Sequence, residues 1–372
     1  MNQLKDISMN KAFSGVCGIS ENELTSDFEP EIQALADGNN MTRDEALAEM
    51  RKRYNGYRFA PDAEAVYNPF SVLNTLDSHV FGYYWFRTGT PTFLIKQIKA
   101  AKFNIPDFTQ GVSIHAQSID DYRANGDNPV PLLYQTGYLT IMDYNPRLRK
   151  YTLGFPNEEV KYAFLNELLD SYFPRGMNMQ RLFVGDFAED LWKGDIETFI
   201  TRLRSLIASM PYGVKSEETE SWFQTVVYLL FTLLGQYVQA EVHSHKGRAD
   251  MVVITDDSVY VFEFKITGGK DGKTADAALK QIYTPEWHKT KLPCGLFDAM
   301  PRQQNPHIVP LCVEPASLPC AKNPRKSFFV LCHSGVYEKD YMGQYRASGK
   351  RLCKIAAIYD TTKRELGETK IS

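Results

Sequence analysis

Hydrophobic and polar positions along the chain fall into three stretches of different rhythm. In the first, to about residue 105, apolar residues recur at helical spacing. The clearest case is "RDEALAEMRKRYNGYRF", where Ala46, Leu47 and Met50 share one helix face and Asn55-Gly56 ends the run. In "VYNPFSVLN" Asn68 precedes Pro69, and in "RTGTPTFLIK" Thr90 precedes Pro91. Each pair suits an N-cap followed by proline at the first helical position, so a helix is expected to start at each.

The second stretch, 106–212, changes character. "VPLLYQTGYLTIMDY" reads as the apolar end of a helix running into a strand, and "YTLGFPNEEVKYAFLNELLDSYF" as a strand followed by an amphipathic helix. Helix, hairpin and helix in that order fit a winged-helix-like unit or a plain helical linker carrying a hairpin. No basic recognition helix is visible, which favours protein packing over DNA reading for this unit. Helices over 179–210 follow, and the loop "PYGVKSEETE" marks the next boundary.

The third stretch, 213–372, opens with the helix "ESWFQTVVYLLFTLLG" and the strand "YVQAEVHS". Next come the hairpin "GRADMVVITDDSVYVFEFKI" and the helix "ADAALKQI". This is an αβββα run, the signature of a small α/β sheet domain. Prolines from Pro285 to Pro324 then exclude regular helix or central strand, so an irregular insertion is expected at about 283–330. "RLCKIAAIYD" is expected to be the last strand.

The hairpin carries the candidate chemistry. With its turn centred on Asp256-Asp257, Asp250 falls opposite Glu263 and Arg248 opposite Lys265, and the two-residue period puts all four on one face. The other face, with Met251, Val253, Tyr260, Phe262, Phe264 and Ile266, must be buried. The charged face is itself apolar towards the turn, so both sides are expected to be covered. Two carboxylates are then held roughly 5 Å apart where like charges repel. Arg248, Lys265 or a divalent metal must compensate, and an Asp–Glu oxygen pair suits Mg²⁺ or Mn²⁺. The ordinary alternative is a set of salt bridges at the end of the sheet.

Composition narrows the classes without naming one. The 372 residues carry a formal charge of −3 with pI near 6.2, so any nucleic-acid contact must come from a local basic patch. The six cysteines form no CxxC pair, no signal-peptide pattern opens the chain, and no apolar window reaches membrane-spanning length. A cytoplasmic protein, with no membrane partner and with homo-oligomerisation left open, is the reading. Between Thr267 and Thr274, "TGGKDGKT" sits where a phosphate-binding loop would, but that motif needs glycine where the chain has Thr267. A plain connecting loop, with Lys270 and Lys273 near a nucleic-acid backbone, is the alternative.

Gly247-Arg248-Ala249-Asp250, then Glu263-Phe264-Lys265, then Ala278-Leu279-Lys280-Gln281-Ile282 together resemble the PD-(D/E)XK nuclease superfamily, in the version found in bacterial AAA-ATPase-like/PD-(D/E)XK proteins. The resemblance implies an α/β (mixed α+β) chain with a restriction-endonuclease-like αβββαβ domain over 213–372. It implies metal binding by Asp250 and Glu263, water positioning by Lys265, support from Gln281, and a weaker assisting role for Glu220 or Glu218. It further implies Mg²⁺- or Mn²⁺-dependent hydrolysis of DNA, or less readily RNA. "YNGYRF", "VYNPFSVLN" and "FGYYWFRTGTPTFLIK" resemble the C-terminal part of the AAA-ATPase-like module, which places residues 1–105 there. The expected phosphate-binding loop of that module has no counterpart in this sequence, so ATPase activity is not expected. A non-catalytic family remnant acting as an interaction or nucleotide-binding protein is the alternative function.

Overall fold

Side-chain caps set the starts of three helices at the N-terminal end. The computed structural model describes residues 7–85, 92–101, 103, 105–119, 128–173, 184–211, 213–214, 218–245, 248–267 and 348–372. Ser20 opens α1 (Glu21–Asp27) and Thr42 opens α3 (Arg43–Tyr54), each in a capping box with the glutamate three residues on, Glu23 and Glu45. Between them lies α2 (Glu29–Gly38). The Asn68 side chain accepts from the backbone N–H of Phe70 and Ser71 at 3.0 and 3.2 Å, opening α4 (Pro69–Ser78) as its Asn-Pro pair predicts. These helices bury Leu24, Ile32, Met50, Tyr54 and Tyr67 in a small core of their own. The Thr90-Pro91 cap lies outside the described residues, and α5 is described over Thr92–Ala100.

Past α6 (Ile105–Gln110) the chain forms β1 (Val112–His115), α7 (Val130–Gln135), β2 (Thr140–Asn145) and β3 (Lys150–Gly154), followed by α8 (Glu158–Asp170). The strands make an antiparallel sheet in the order β1-β3-β2. The β2–β3 hairpin and α8 match the sequence pattern, whereas β1 is additional. With four residues, of which Val112 and Ile114 are buried, β1 is too short for alternation to announce it.

Two contacts tie the N-terminal helices to this sheet and α8. Gly56 adopts φ +114°, and a Cβ there would lie 1.9 Å from the carbonyl oxygen of Pro156. Both the positive φ and the backbone approach exclude a side chain. Gly56→Ala is therefore expected to cost about 2–3 kcal/mol in chemical denaturation, and an unchanged midpoint would show that the junction gives way freely. The second contact is Glu159, 1% exposed in the first turn of α8, which accepts from Ser71 Oγ at 2.7 Å and from the Trp85 backbone N–H at 2.9 Å. Burial raises its pKa above the usual carboxylate range against the lowering effect of those bonds. Glu159→Ala would strand two donors, so a loss of about 3 kcal/mol is expected by the same measurement.

The C-terminal sheet rests on three helices, α9 (Val184–Lys193), α10 (Ile196–Ala208) and α11 (Thr219–Leu234). Its strands are β4 (Gln239–His245), β5 (Arg248–Ile254), β6 (Ser258–Thr267), β7 (Arg351–Asp360) and β8 (Glu365–Ile371), in the order β4-β5-β6-β7-β8. All neighbours are antiparallel except β6 and β7, which run parallel. The expectation that "RLCKIAAIYD" is the last strand is corrected, because β8 follows and forms the edge. "ELGETKI" is polar, with Leu366 its buried residue, which is how an exposed sheet edge is kept from pairing with other chains. The helix "ADAALKQI" and the Pro-rich stretch lie outside the described residues.

One face of this sheet enters the main core. Phe262 packs against Phe231 and Phe199 at ring-centroid distances of 4.8 and 5.2 Å, and Phe223 stacks on Tyr359 at 4.0 Å. Tyr260 also donates its hydroxyl to the Leu191 carbonyl of α9 at 2.9 Å. The opposite face has its own buried cluster of Val252, Val259 and Val261, flanked by Ile254 and Leu352. Among the described residues no helix is long and apolar enough to cross a membrane.

Candidate active site

The hairpin turn is fixed by Thr255 and Ser258. The Thr255 N–H donates to the Ser258 carbonyl at 2.9 Å, and the Ser258 N–H donates back to Thr255 Oγ1 at 3.1 Å, with Asp256-Asp257 at the tip. This sets the register from Ile254↔Val259 to Ala249↔Phe264 and makes Asp250 the cross-strand partner of Glu263. Residues Met251, Val253, Tyr260, Phe262 and Phe264 belong to the main core, as the alternation requires. Arg248 is paired on its β4 side with His245.

Following the register across the sheet gives one transverse row: His243, Asp250, Glu263, Ala356 and Lys370. The row lies on the face opposite the helices, together with the Val252–Val261 cluster. Lys265 is two residues beyond Glu263 on β6, hence on the same side of the pleat. Gln281, the fourth residue expected at the site, lies outside the described residues.

Glu263 is 2% exposed. An ionised carboxylate so deeply buried needs a cation or a set of donors. Glu263, buried and opposed in backbone register to Asp250, is of the oxygen-donor type that a hard divalent cation takes. Among the described residues there is no group of three or more His, Cys, Asp or Glu side chains that could hold a metal.

A buried charged residue escapes the sequence pattern. Lys354 on β7 is 8% exposed and is the parallel partner of Val261, which puts it on the face of Glu263 and diagonal to it. Such diagonal positions are about 7–8 Å apart, within reach of a long side chain. The signal was present in the sequence as a lysine inside the apolar run "LCKIAAIY". Glu218 and Glu220 are both exposed at the N-terminus of α11, whose buried side packs on the apolar face of the sheet, and Glu220 accepts from Gln224 at 3.0 Å. Of the cysteines, Cys17 is exposed and Cys353 half-buried, both as free thiols; the others lie outside the described residues, as does the glycine-rich loop after Thr267.

A curated relative from Azotobacter chroococcum mcd 1, described as "Uncharacterized protein in vnfD 5'region", is 33% identical over 291 residues, covering 76% of this chain and 52% of the relative. The chain thus spans about half the length of that relative. No solved structure matches. The family model described as "PD-(D/E)XK nuclease superfamily" matches residues 218–290, which take in α11, β4, β5 and β6 with Asp250, Glu263 and Lys265. The helix–strand–strand–strand order and mixed sheet agree with a restriction-endonuclease-like fold, and at residues 218–290 the chain carries a PD-(D/E)XK nuclease superfamily domain.

Proposed function

We propose that the protein is a metal-dependent nuclease that hydrolyses phosphodiester bonds, with DNA as its first substrate class and RNA as the second. The observation that carries this reading is the pairing of Asp250 with Glu263 inside the matched superfamily segment, with Lys265 two residues further on. Asp250 and Glu263 would hold Mg²⁺ or Mn²⁺. The bound ion would polarise a phosphoryl oxygen and lower the pKa of a water molecule.

The chain's own groups supply the rest. Lys265 places a positive charge beside the phosphate, where negative charge grows as water oxygen attacks phosphorus and the bond to the leaving sugar oxygen breaks. In the absence of metal, the same charge offsets repulsion between the two carboxylates. Gln281 is assigned to orienting the attacking water or its neighbours. Lys354 is assigned to balancing Glu263 from the next strand.

Residues 1–105 are read as part of an AAA-ATPase-like module, on the strength of the "YNGYRF" and "VYNPFSVLN" motifs. Residues 106–212 are read as a winged-helix-like unit, a reading supported by the β1-β3-β2 sheet with α7 between its first two strands.

The test is cleavage of supercoiled plasmid, linear duplex and single-stranded DNA, and of RNA, by the purified chain with Mg²⁺ or Mn²⁺. Cleavage that disappears with chelator and in Asp250→Ala supports the reading. The absence of cleavage on every substrate with both ions would remove it.

A further inference from the structure

Away from the C-terminal sheet, the tip of the β2–β3 hairpin presents Arg147-Leu148-Arg149-Lys150. We infer that this tip is a docking element for duplex DNA, with the basic side chains on the phosphates and Leu148 at the groove. The absence of a basic recognition helix argued for protein packing by this unit, but its basic charge lies on the hairpin tip instead. The inference rests on the nuclease reading for its substrate and adds a surface that would hold that substrate.

Charge is the first observation. The hairpin from Thr140 to Gly154 carries three cations against the single acid Asp143, in a chain whose formal charge is −3. Arg147 and Arg149 are exposed and Lys150 partly so, and none of the three forms an ion pair among the described residues. Elsewhere on the surface the arginines Arg43, Arg51 and Arg202 are each matched to a carboxylate. The hairpin tip thus gathers three neighbouring cations that have no acidic partner among the described residues.

Rigidity is the second. Asn145 Oδ1 accepts from the Leu148 N–H at 3.1 Å, and the Arg149 carbonyl accepts from the Ala116 N–H at 2.9 Å. Arg58 Nη1 donates to the Met142 carbonyl at 3.2 Å, and Tyr144 packs on Tyr151 at 4.5 Å. The tip is therefore held before any partner arrives, and little backbone ordering remains to oppose binding. Leu148 is 60% exposed at its end.

These features select the partner. A single strand is bound by exposed aromatic faces on which bases stack, and at this hairpin Tyr144 and Tyr151 are engaged with each other. The Arg-Leu-Arg tip suits the minor groove of B-form DNA, where an apolar wedge enters at a base step and flanking cations reach the phosphates on either side. The minor groove of duplex RNA is wide and shallow and gives such a tip no walls.

The experiment is fluorescence anisotropy of the full chain with labelled duplex DNA, in chelator so that no cleavage occurs, across salt from about 50 to 200 mM. The variant is Arg147→Ala/Arg149→Asn/Lys150→Gln; asparagine is chosen because Arg149 sits at φ +49°. Loss of three phosphate contacts should reduce the slope of log K against log salt by about 2.7. Arg147→Lys/Lys150→Arg should keep the slope, which separates charge from folding. A wild-type slope in the triple variant, or equal affinity for duplex RNA or single-stranded DNA, overturns the assignment. The cleavage assay is independent: slope loss without cleavage in any assay would leave this surface standing and remove the nuclease reading, and cleavage with an unchanged slope would do the reverse.

Discussion

Asp250→Ala is expected to abolish metal-dependent cleavage, and Lys265→Ala to lower its rate by about 10²–10³-fold. The two variants should fail differently. Asp250 is proposed to hold the ion, so its loss should remove both metal binding and cleavage. Lys265 is proposed to act on the charge that develops at the phosphate, so its variant should bind metal and DNA while turning over slowly, lowering kcat more than it raises KM. Single-turnover kinetics with saturating enzyme reads this directly. Equal rates for wild type and Lys265→Ala would remove the lysine from the chemistry, and loss of metal binding in that variant would make it a structural partner of the carboxylates.

Phe262→Ala is expected to cost about 3–5 kcal/mol, the range for removing a buried aromatic ring. The ring is fully buried between Phe199 of α10 and Phe231 of α11, on the residue immediately before Glu263. Its removal opens a cavity directly behind the strand that carries Glu263 and Lys265. Guanidinium denaturation should show the loss as a lower midpoint. If the domain remains folded at low temperature, the metal affinity should fall as well, because the register of β6 would no longer be held from behind. Phe262→Leu should recover most of the stability, and a large loss in the alanine variant without recovery in the leucine variant would point to a requirement for the aromatic edge contacts themselves.

Legibility in the sequence followed the strength of local signals. Helix α3 was readable because Ala46, Leu47 and Met50 repeat at helical spacing and Asn55-Gly56 stops them, and α4 because Asn68-Pro69 is both cap and first turn. The β5–β6 register was readable because a short turn leaves the pairing little freedom once its centre is placed, and alternation then distributes every side chain. Strand β8 was not, because an edge strand needs few apolar residues and "ELGETKI" supplies few. The position of β7 was not readable either: its parallel pairing with β6 spans residues 268–350, and no local pattern encodes a partner that distant. That pairing, the widest in sequence among the described strand pairs, is what brings Lys354 to the face of Glu263, so a charged residue the pattern missed is delivered by a long-range contact.

Asp250 and Glu263 are proposed to share a divalent cation. Titration of the purified chain with Mn²⁺, followed by electron paramagnetic resonance of the free ion, tests it most directly. The prediction is saturable binding that is lost in both Asp250→Asn and Glu263→Gln while Glu220→Gln binds as wild type does. Binding that survives in Asp250→Asn and Glu263→Gln, or no saturable binding in the wild-type chain, would contradict it.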